Sequence, residues 1–267
     1  LFQDLNFEIS NHIEITNGLS LAAGFTYHRR TPAEHPDDSF REIELPENVT
    51  EGLQANIKPQ YTSFAPRIRL EWTPKQYYYM NGRQKVNLKS RFPTFILDYE
   101  RGLKNVFKST GVYERIEFDM QHHLRTGLLS NLYYRFGVGL FTNQEETYFV
   151  DFANFRKSNL PEGWNDEIGG VFQALDGQWY NASNYYVRGH ITYEAPFLLL
   201  RHLIKYTNHV QNERLYLNLL TMDHLGPYLE VGYGIGTFVF DMGLFLSLEK
   251  FNRIGFGYKF TFELFNN

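Results

Sequence analysis

Residues 253–267 read RIGFGYKFTFELFNN, a stretch in which apolar and polar side chains alternate. One side of the extended chain would carry Ile254, Phe256, Tyr258, Phe260, Phe262 and Leu264. The other side would carry Arg253, Gly255, Gly257, Lys259, Thr261 and Glu263. A period of two residues is typical of a β-strand whose two faces meet different surroundings. The stretch therefore predicts a strand, and the surroundings of its ring-bearing face decide the fold.

The same period recurs in about eleven segments along the chain. They are residues 5–16, 19–30, 61–72, 87–101, 112–121, 131–141, 184–196, 214–221, 226–238, 242–250 and 253–264. Each is close to the roughly 9–11 residues that a tilted strand needs to cross a bilayer. By contrast, no stretch reaches the roughly 18 consecutive apolar residues that a spanning helix needs. The sequence predicts an all-β, antiparallel fold.

The composition is unusual for a chain that could bury its own core. Its 267 residues include 24 Phe, 19 Tyr and 21 Gly but no Cys. The absence of Cys excludes disulfides, thiolate metal sites and cysteine nucleophiles. A net charge of −4 gives no electrostatic case for a nucleic-acid partner.

Alternation alone does not separate a membrane barrel from a soluble sandwich, which also hides one apolar face. The polar faces carry charges of both signs and glycine, which favours the crowded interior of a membrane barrel. The predicted lipid-facing residues are Leu229, Val231, Tyr233, Ile235, Phe256, Tyr258, Phe260 and Phe262. The predicted lumen-facing polar network consists of Arg115, Glu117, Asp119, Arg135, Arg188, His190 and Glu194, spaced for cross-strand ion pairs.

Connection lengths also favour a membrane barrel, because outer-membrane barrels have short periplasmic turns and longer external loops. Short turns are predicted near residues 17–18, 123–127 and 239–241, and external loops at 31–60, 102–110 and 144–183. The connections at 74–86 and 196–212 are longer than periplasmic turns should be. Within the second, residues 197–206 predict a short amphipathic helix at the membrane interface or against the barrel end.

Closure constrains the strand number, since unpaired backbone groups in hydrocarbon are costly. Single-chain bacterial barrels normally have an even number of strands, so either a strand is missing here or the count is off by one. We expect a transmembrane β-barrel of outer-membrane type with about 11–12 strands in this chain, within a larger barrel. The strand-like pattern at residue 1 favours residues 1–267 as the C-terminal part of a longer protein of the bacterial outer membrane.

Several stretches resemble the C-terminal barrel of an uncharacterised Bacteroidota outer-membrane protein family. They are residues 82–127, FVDFANFRKSNLPEGW at 149–164, residues 172–203, ERLYLNLL at 213–220 and GPYLEVGYGIG at 226–236. The resemblance covers residues 83–267. It implies an N-terminal carboxypeptidase-regulatory-like β-sandwich outside this chain, and it carries over no catalytic motif.

A more distant likeness is to the BamA and TamA assembly-factor superfamily, whose barrels have sixteen strands. Counted from the C-terminus, the loop 144–183 is similar in position to the loop that those barrels fold into the lumen. The likeness implies a lumen role for Arg156, in NFRKSN, and a barrel of sixteen strands.

Histidines and carboxylates are the candidates for chemical sites. His122 and His123 are adjacent, so they would point to opposite sides of a strand, and a turn is favoured for them. The AEHPDD run at 33–38 offers oxygen ligands of the kind calcium prefers, but a solvated loop is favoured. His190 could act as a general base beside a serine, although a packed polar network is favoured. The sequence therefore predicts no catalytic residues, no metal site and no cofactor.

Three functions remain open from the sequence. The first is a non-enzymatic barrel for transport or outer-membrane protein or lipid biogenesis, gated by the loop 144–183. The second is a structural or docking barrel with a filled lumen, whose external loops bind a partner. The third is a membrane-embedded hydrolase. The expected partners are outer-membrane lipid, the barrel assembly machinery through the C-terminal strand, and another outer-membrane or periplasmic protein.

Overall fold

The computed structural model describes residues 2–32, 61–88, 90–146, 171–175, 185–196, 198–200, 210–222, 227–237, 240–249 and 253–262. Regular structure in these ranges is β-strand apart from one 3-10 turn at Val106–Lys108. No helix in the described ranges has the length and apolar character needed to cross a membrane.

Thirteen strands follow one another in the described residues. They are β1 (Phe2–Thr16), β2 (Leu19–Pro32), β3 (Tyr61–Trp72), β4 (Tyr78–Asn81), β5 (Gln84–Asn87), β6 (Thr94–Arg101), β7 (Val112–Arg125), β8 (Asn131–Glu146), β9 (Tyr185–Ala195), β10 (Asn212–Met222), β11 (Tyr228–Gly236), β12 (Phe240–Glu249) and β13 (Arg253–Phe262). Eleven form one antiparallel sheet in the order β1-β2-β3-β6-β7-β8-β9-β10-β11-β12-β13. This confirms the all-β, antiparallel architecture predicted from the sequence. In that order, β1 and β13 are the two end strands.

The first difference from the sequence prediction lies between β3 and β6. The predicted strand at 87–101 begins only at Thr94, and residue 87 instead ends the separate hairpin of β4 and β5. Gly82 has φ +61° at the first position of its two-residue turn, a conformation that glycine adopts without strain. The long connection at 74–86 is therefore largely an ordered hairpin.

The second difference concerns the turn predicted at 123–127, because β7 continues to Arg125. His122 and His123 consequently lie on a strand and contact two tyrosines of β8. The His123 ring stacks on Tyr133 at a centroid distance of 4.3 Å, and His122 Nδ1 lies 3.0 Å from the Tyr134 hydroxyl. These aromatic contacts extend the β7 and β8 pair beyond the predicted boundary.

The chain divides into two compact units. Unit 1 comprises Leu1–Asp119, Val138–Ala153 and Tyr180–Tyr185; unit 2 comprises Met120–Gly137, Asn154–Trp179 and Tyr186–Asn267. In unit 1, Ala65, Tyr113 and Phe141 form a buried cluster on β3, β7 and β8. At the end of the strand order, residues 5–17 of β1 and its turn are all exposed, including Leu5, Phe7 and Ile9.

In unit 2, one face of the sheet is apolar and exposed. Cross-strand register aligns Leu217, Val231, Leu246 and Phe256 on β10 to β13, and we call these four residues the apolar row. They are between 42% and 69% exposed. Isolated exposed apolar residues are ordinary, whereas these four form a contiguous row across four strands.

The opposite face of unit 2 is buried and combines glycine with large rings. Gly232 lies between Tyr216 on β10 and Phe245 on β12, whose ring centroids are 5.2 Å apart. A Cβ atom on Gly232 would lie 2.4 Å from Phe245 Cδ1. The missing side chain at Gly232 therefore leaves the space that the two flanking rings fill.

Gly232→Ala should destabilise the fold by about 1–3 kcal/mol, because the added methyl group overpacks against Phe245. Denaturant titration would give the free energy of unfolding. Gly189→Ala is the control, since its Cβ would meet only Phe136 ring atoms, at 3.3 Å. Phe245→Leu should relieve part of the cost in a double-mutant cycle. Additive effects of the two changes would contradict this packing.

Candidate functional site

A short piece of the long connection between β8 and β9 lies on the buried face of unit 2. This piece is residues 171–175, in which Val171, Phe172 and Leu175 are buried. The Phe172 ring centroid lies 4.6 Å from that of His190 on β9 and 5.7 Å from that of Tyr228 on β11. The 171–175 segment therefore packs against the sheet, where it contacts β9 and β11.

Glu230 on β11 holds this segment through its carboxylate. The backbone N–H of Ala174 donates to Oε2 at 2.8 Å, and that of Gln173 donates to both oxygens at 3.1 Å. Asn218 Nδ2 and the Tyr228 hydroxyl donate to the same carboxylate at 2.7 Å and 3.0 Å. Glu230 is 0% exposed, and a buried carboxylate is costly unless donors of this kind surround it.

Glu230 belongs to a line of polar residues that the register places side by side. His190, Asn218, Glu230 and Ser247 occupy consecutive strands β9 to β12, and we call them the polar row. Each is at most 5% exposed. Because Asn218 Nδ2 donates to Glu230, its Oδ1 accepts from His190 Nδ1–H, at 2.9 Å. A hydrogen-bond chain therefore connects three strands to the 171–175 segment.

A second set of charges in unit 2 centres on Arg214 of β10. Its Nε donates to Glu194 Oε2 at 2.7 Å, and its Nη1 donates to Asp241 Oδ2 at 2.8 Å. Asn131 Nδ2 also donates to Glu194, at 3.2 Å. The arginine thus joins a carboxylate on β9 to one on β12, close to the strand ends.

Unit 1 carries its own ion pairs on the buried side of β3, β6 and β7. Arg67 Nε donates to Asp98 Oδ1 at 2.9 Å, and Arg115 Nη2 donates to Glu100 Oε2 at 3.0 Å. The Tyr113 hydroxyl donates to Glu100 as well, at 2.5 Å. Asp98 and Glu100 are thus each paired with an arginine on a neighbouring strand.

The residues predicted as a polar network fall into both units. Unit 1 contains Arg115, Glu117 and Asp119, with Arg115 Nε 4.0 Å from Glu117 Oε1. Unit 2 contains Arg135, Arg188, His190 and Glu194. All seven side chains are buried or half-buried. Arg156, the candidate loop residue, and the carboxylate run at 33–38 lie outside the described residues.

The residues predicted to face lipid belong to unit 2 and lie on the face opposite the polar row. Val231, Phe256, Tyr258 and Phe260 are exposed, whereas Leu229, Tyr233 and Ile235 are half-buried. The side chain of Phe262 lies outside the described residues.

Sequence reasoning missed the partners that organise both units. It did not select Asp98, Glu100, Arg214, Asn218 or Glu230 as site residues, although alternation put Glu230 on the polar side. The missing signal is cross-strand register, which brings Asn218 and Glu230 together from different segments. Among the residues that the structure describes, no group of three or more His, Asp or Glu is placed to hold a metal ion.

A model of the C-terminal domain of the family of unknown function DUF5686 matches residues 1–235. The chain belongs to this family. The match supports the resemblance to the C-terminal domain of an uncharacterised family, but it covers residues 1–235 where the predicted resemblance covers 83–267. No curated protein matches the chain.

Glu230→Ala should release the 171–175 segment, because four donors to the carboxylate lose their acceptor. Buried donors left unsatisfied cost about 1–3 kcal/mol. Amide hydrogen exchange at Gln173 and Ala174 should therefore accelerate by roughly one to two orders of magnitude through local opening. Glu71→Ala, at a side chain that is 45% exposed, is the control. Unchanged protection of both amides in the Glu230 variant would count against this role.

Proposed function

We propose that the protein is a β-barrel of the bacterial outer membrane that acts, without enzymatic chemistry, in transport or in outer-membrane protein or lipid biogenesis. The observation that carries the proposal is the opposition of the apolar row and the polar row on the two faces of one sheet. In this proposal hydrocarbon covers the apolar row, and the polar row faces the barrel interior.

The energetics favour hydrocarbon over water at the apolar row. Burying one Val, Leu or Phe side chain is worth about 1.5–3 kcal/mol relative to leaving it in water. Water-soluble monomers rarely leave large contiguous apolar patches exposed. On the other face, Glu230 and Asn218 are 0% exposed, which is the reverse of a soluble sheet with its polar face in water.

Strand order adds a condition for closure. In an antiparallel order of eleven strands, the first and last run in the same direction. Closing an entirely antiparallel barrel therefore needs an odd number of further strands between β13 and β1. Among the described strands β1 pairs with β2 alone, so its other edge is available to such a strand.

The 171–175 segment supports a gating role for the connection 144–183. Its backbone is held on the polar side of the sheet by Glu230, where it would occupy part of the interior. A loop that enters the interior and is held by hydrogen bonds can block passage in one state and permit it in another.

The packing on the same face favours the second candidate, a docking barrel with a filled interior. Phe172, Leu175, Tyr216 and Phe245 are each at most 2% exposed, so this face is packed with large side chains. In that case the external loops, rather than the interior, would carry the function.

Conductance in planar bilayers separates these two candidates. We expect the intact protein to conduct weakly, and replacement of residues 147–183 by a short Gly-Ser linker to raise conductance several-fold. Replacement of residues 33–60 by the same linker is the control and should leave conductance unchanged. Absence of conductance in all three proteins would favour the docking barrel.

Arginine substitution tests the membrane assignment itself. Val231→Arg in the middle of β11 should cost about 2–4 kcal/mol of folding free energy in lipid vesicles, whereas arginine near the interface costs about 0–1 kcal/mol. Tyr185→Arg is the matched control, because Tyr185 is similarly exposed but begins β9. Equally small effects at both positions would indicate water rather than hydrocarbon at the apolar row, since exposed substitutions usually stay within about 0.5 kcal/mol.

A further inference from the structure

Glu213 is a carboxylate in an unexpected place. On β10 it shares a face with Leu215, Leu217 and Leu219, which are 40–42% exposed. Glu213 nevertheless is 0% exposed. Something at this end of the strand must cover a charge that otherwise would lie on the apolar face.

The start of the connection between β9 and β10 covers the Glu213 carboxylate. The backbone N–H groups of Leu198, Leu199 and Leu200 donate to the Glu213 carboxylate at 2.8, 2.7 and 3.1 Å. The Tyr233 hydroxyl, from the same face of β11, donates to Oε2 at 2.6 Å. After Ala195 the chain therefore turns back over the apolar face, and residues 198–200 form a ledge there.

The ledge itself presents an apolar side chain outward. Leu199 is 59% exposed although its backbone is fixed by Glu213. Its backbone N–H donates to Glu213, which lies two residues before Leu215 on the same face of β10, so exposed apolar side chains occur on both the strand and the ledge. Because four donors surround the carboxylate, the boundary of the apolar face carries no uncovered charge at Glu213.

Two features indicate what contacts the ledge, namely the continuity of the apolar surface and the charge of the adjacent sequence. A protein partner would need a complementary surface, whereas a bilayer covers an apolar face and its edge together. Residues 201–209, which include the rest of the predicted amphipathic helix, lie outside the described residues. Their sequence contains Arg201 and Lys205, whose charge suits lipid phosphate groups.

We infer that the ledge at 198–200 is a membrane-surface anchor that rests on the headgroup and acyl boundary of a phospholipid leaflet. Glu213 is its positioning residue, and the leaflet is the one at the end of the sheet where β9 ends and β10 begins. This inference rests on the proposed function, because the neighbouring apolar face must lie in hydrocarbon.

Spin labels can test the anchor directly, because the chain contains no Cys and single-cysteine variants need no background changes. Leu199→Cys, Leu217→Cys and Leu128→Cys would be labelled in the intact protein, reconstituted into phosphatidylcholine vesicles with phosphatidylglycerol. Leu217 belongs to the apolar row, and Leu128 is 86% exposed in the turn between β7 and β8. Collision with oxygen against collision with a water-soluble nickel chelate reports the depth of each label.

We expect the ratio of oxygen to nickel collisions to be highest at Leu217, several-fold lower at Leu199, and lowest at Leu128. An aqueous ratio at Leu199 beside a deep ratio at Leu217 would overturn the anchor and leave the membrane proposal standing. Aqueous ratios at both positions would overturn the membrane proposal and the anchor with it.

A second variant isolates the role of Glu213. Glu213→Ala should make the label at Leu199 more mobile and more accessible to nickel, while the label at Leu217 keeps its depth. The unchanged Leu217 label shows that the variant is folded. Retained depth and immobility at Leu199 would overturn the assignment of Glu213 as the positioning residue.

Discussion

The structure depends on one constraint, which is that neighbouring residues of a strand meet opposite surroundings. The apolar row and the polar row lie one residue apart along β10, β11 and β12, as Leu217 lies beside Asn218 and Val231 beside Glu230. A register slip of one residue would exchange the two faces. It would expose Glu230 on the apolar side and remove the acceptor that the 171–175 segment needs. The apolar side chains on one face and the hydrogen bonds on the other therefore both favour the observed register.

Two carboxylates use the same chemistry on opposite faces. Glu230 accepts backbone N–H groups from the β8 to β9 connection, and Glu213 accepts them from the β9 to β10 connection. Each is 0% exposed, so each depends on the connection that covers it. A buried charge surrounded by donors favours one position for the covering segment, since displacement of that segment removes its backbone donors from the charge. The strands therefore fix their connections through single side chains.

The sequence predicted the strands and their two faces, but little of the side-chain contacts between strands and connections. Period-two alternation is local, which is why the all-β, antiparallel architecture could be predicted from segments such as 226–238. The β4 and β5 hairpin was missed. Residue 87 was assigned to the alternating run 87–101, and Gly82 was not recognised as the residue of a tight turn. The pairing of Asn218 with Glu230 was not predictable, since it depends on register between separate segments. Glu213 lies just before the predicted strand 214–221 and was not selected, since its face is apolar and only the returning connection makes a carboxylate acceptable there.

The donors around Glu230 also bear on how a loop in the interior could move. Two of them, Gln173 and Ala174, belong to the loop segment, and two, Asn218 and Tyr228, belong to the strands. If the segment leaves, the strand donors stay, and water must replace the two backbone N–H groups. A dry interior opposes that step, because a partly unpaired carboxylate is costly away from water. In the proposed barrel, release of the segment is therefore coupled to hydration of the interior, so that a substrate or partner that admits water beside Glu230 would favour the open state.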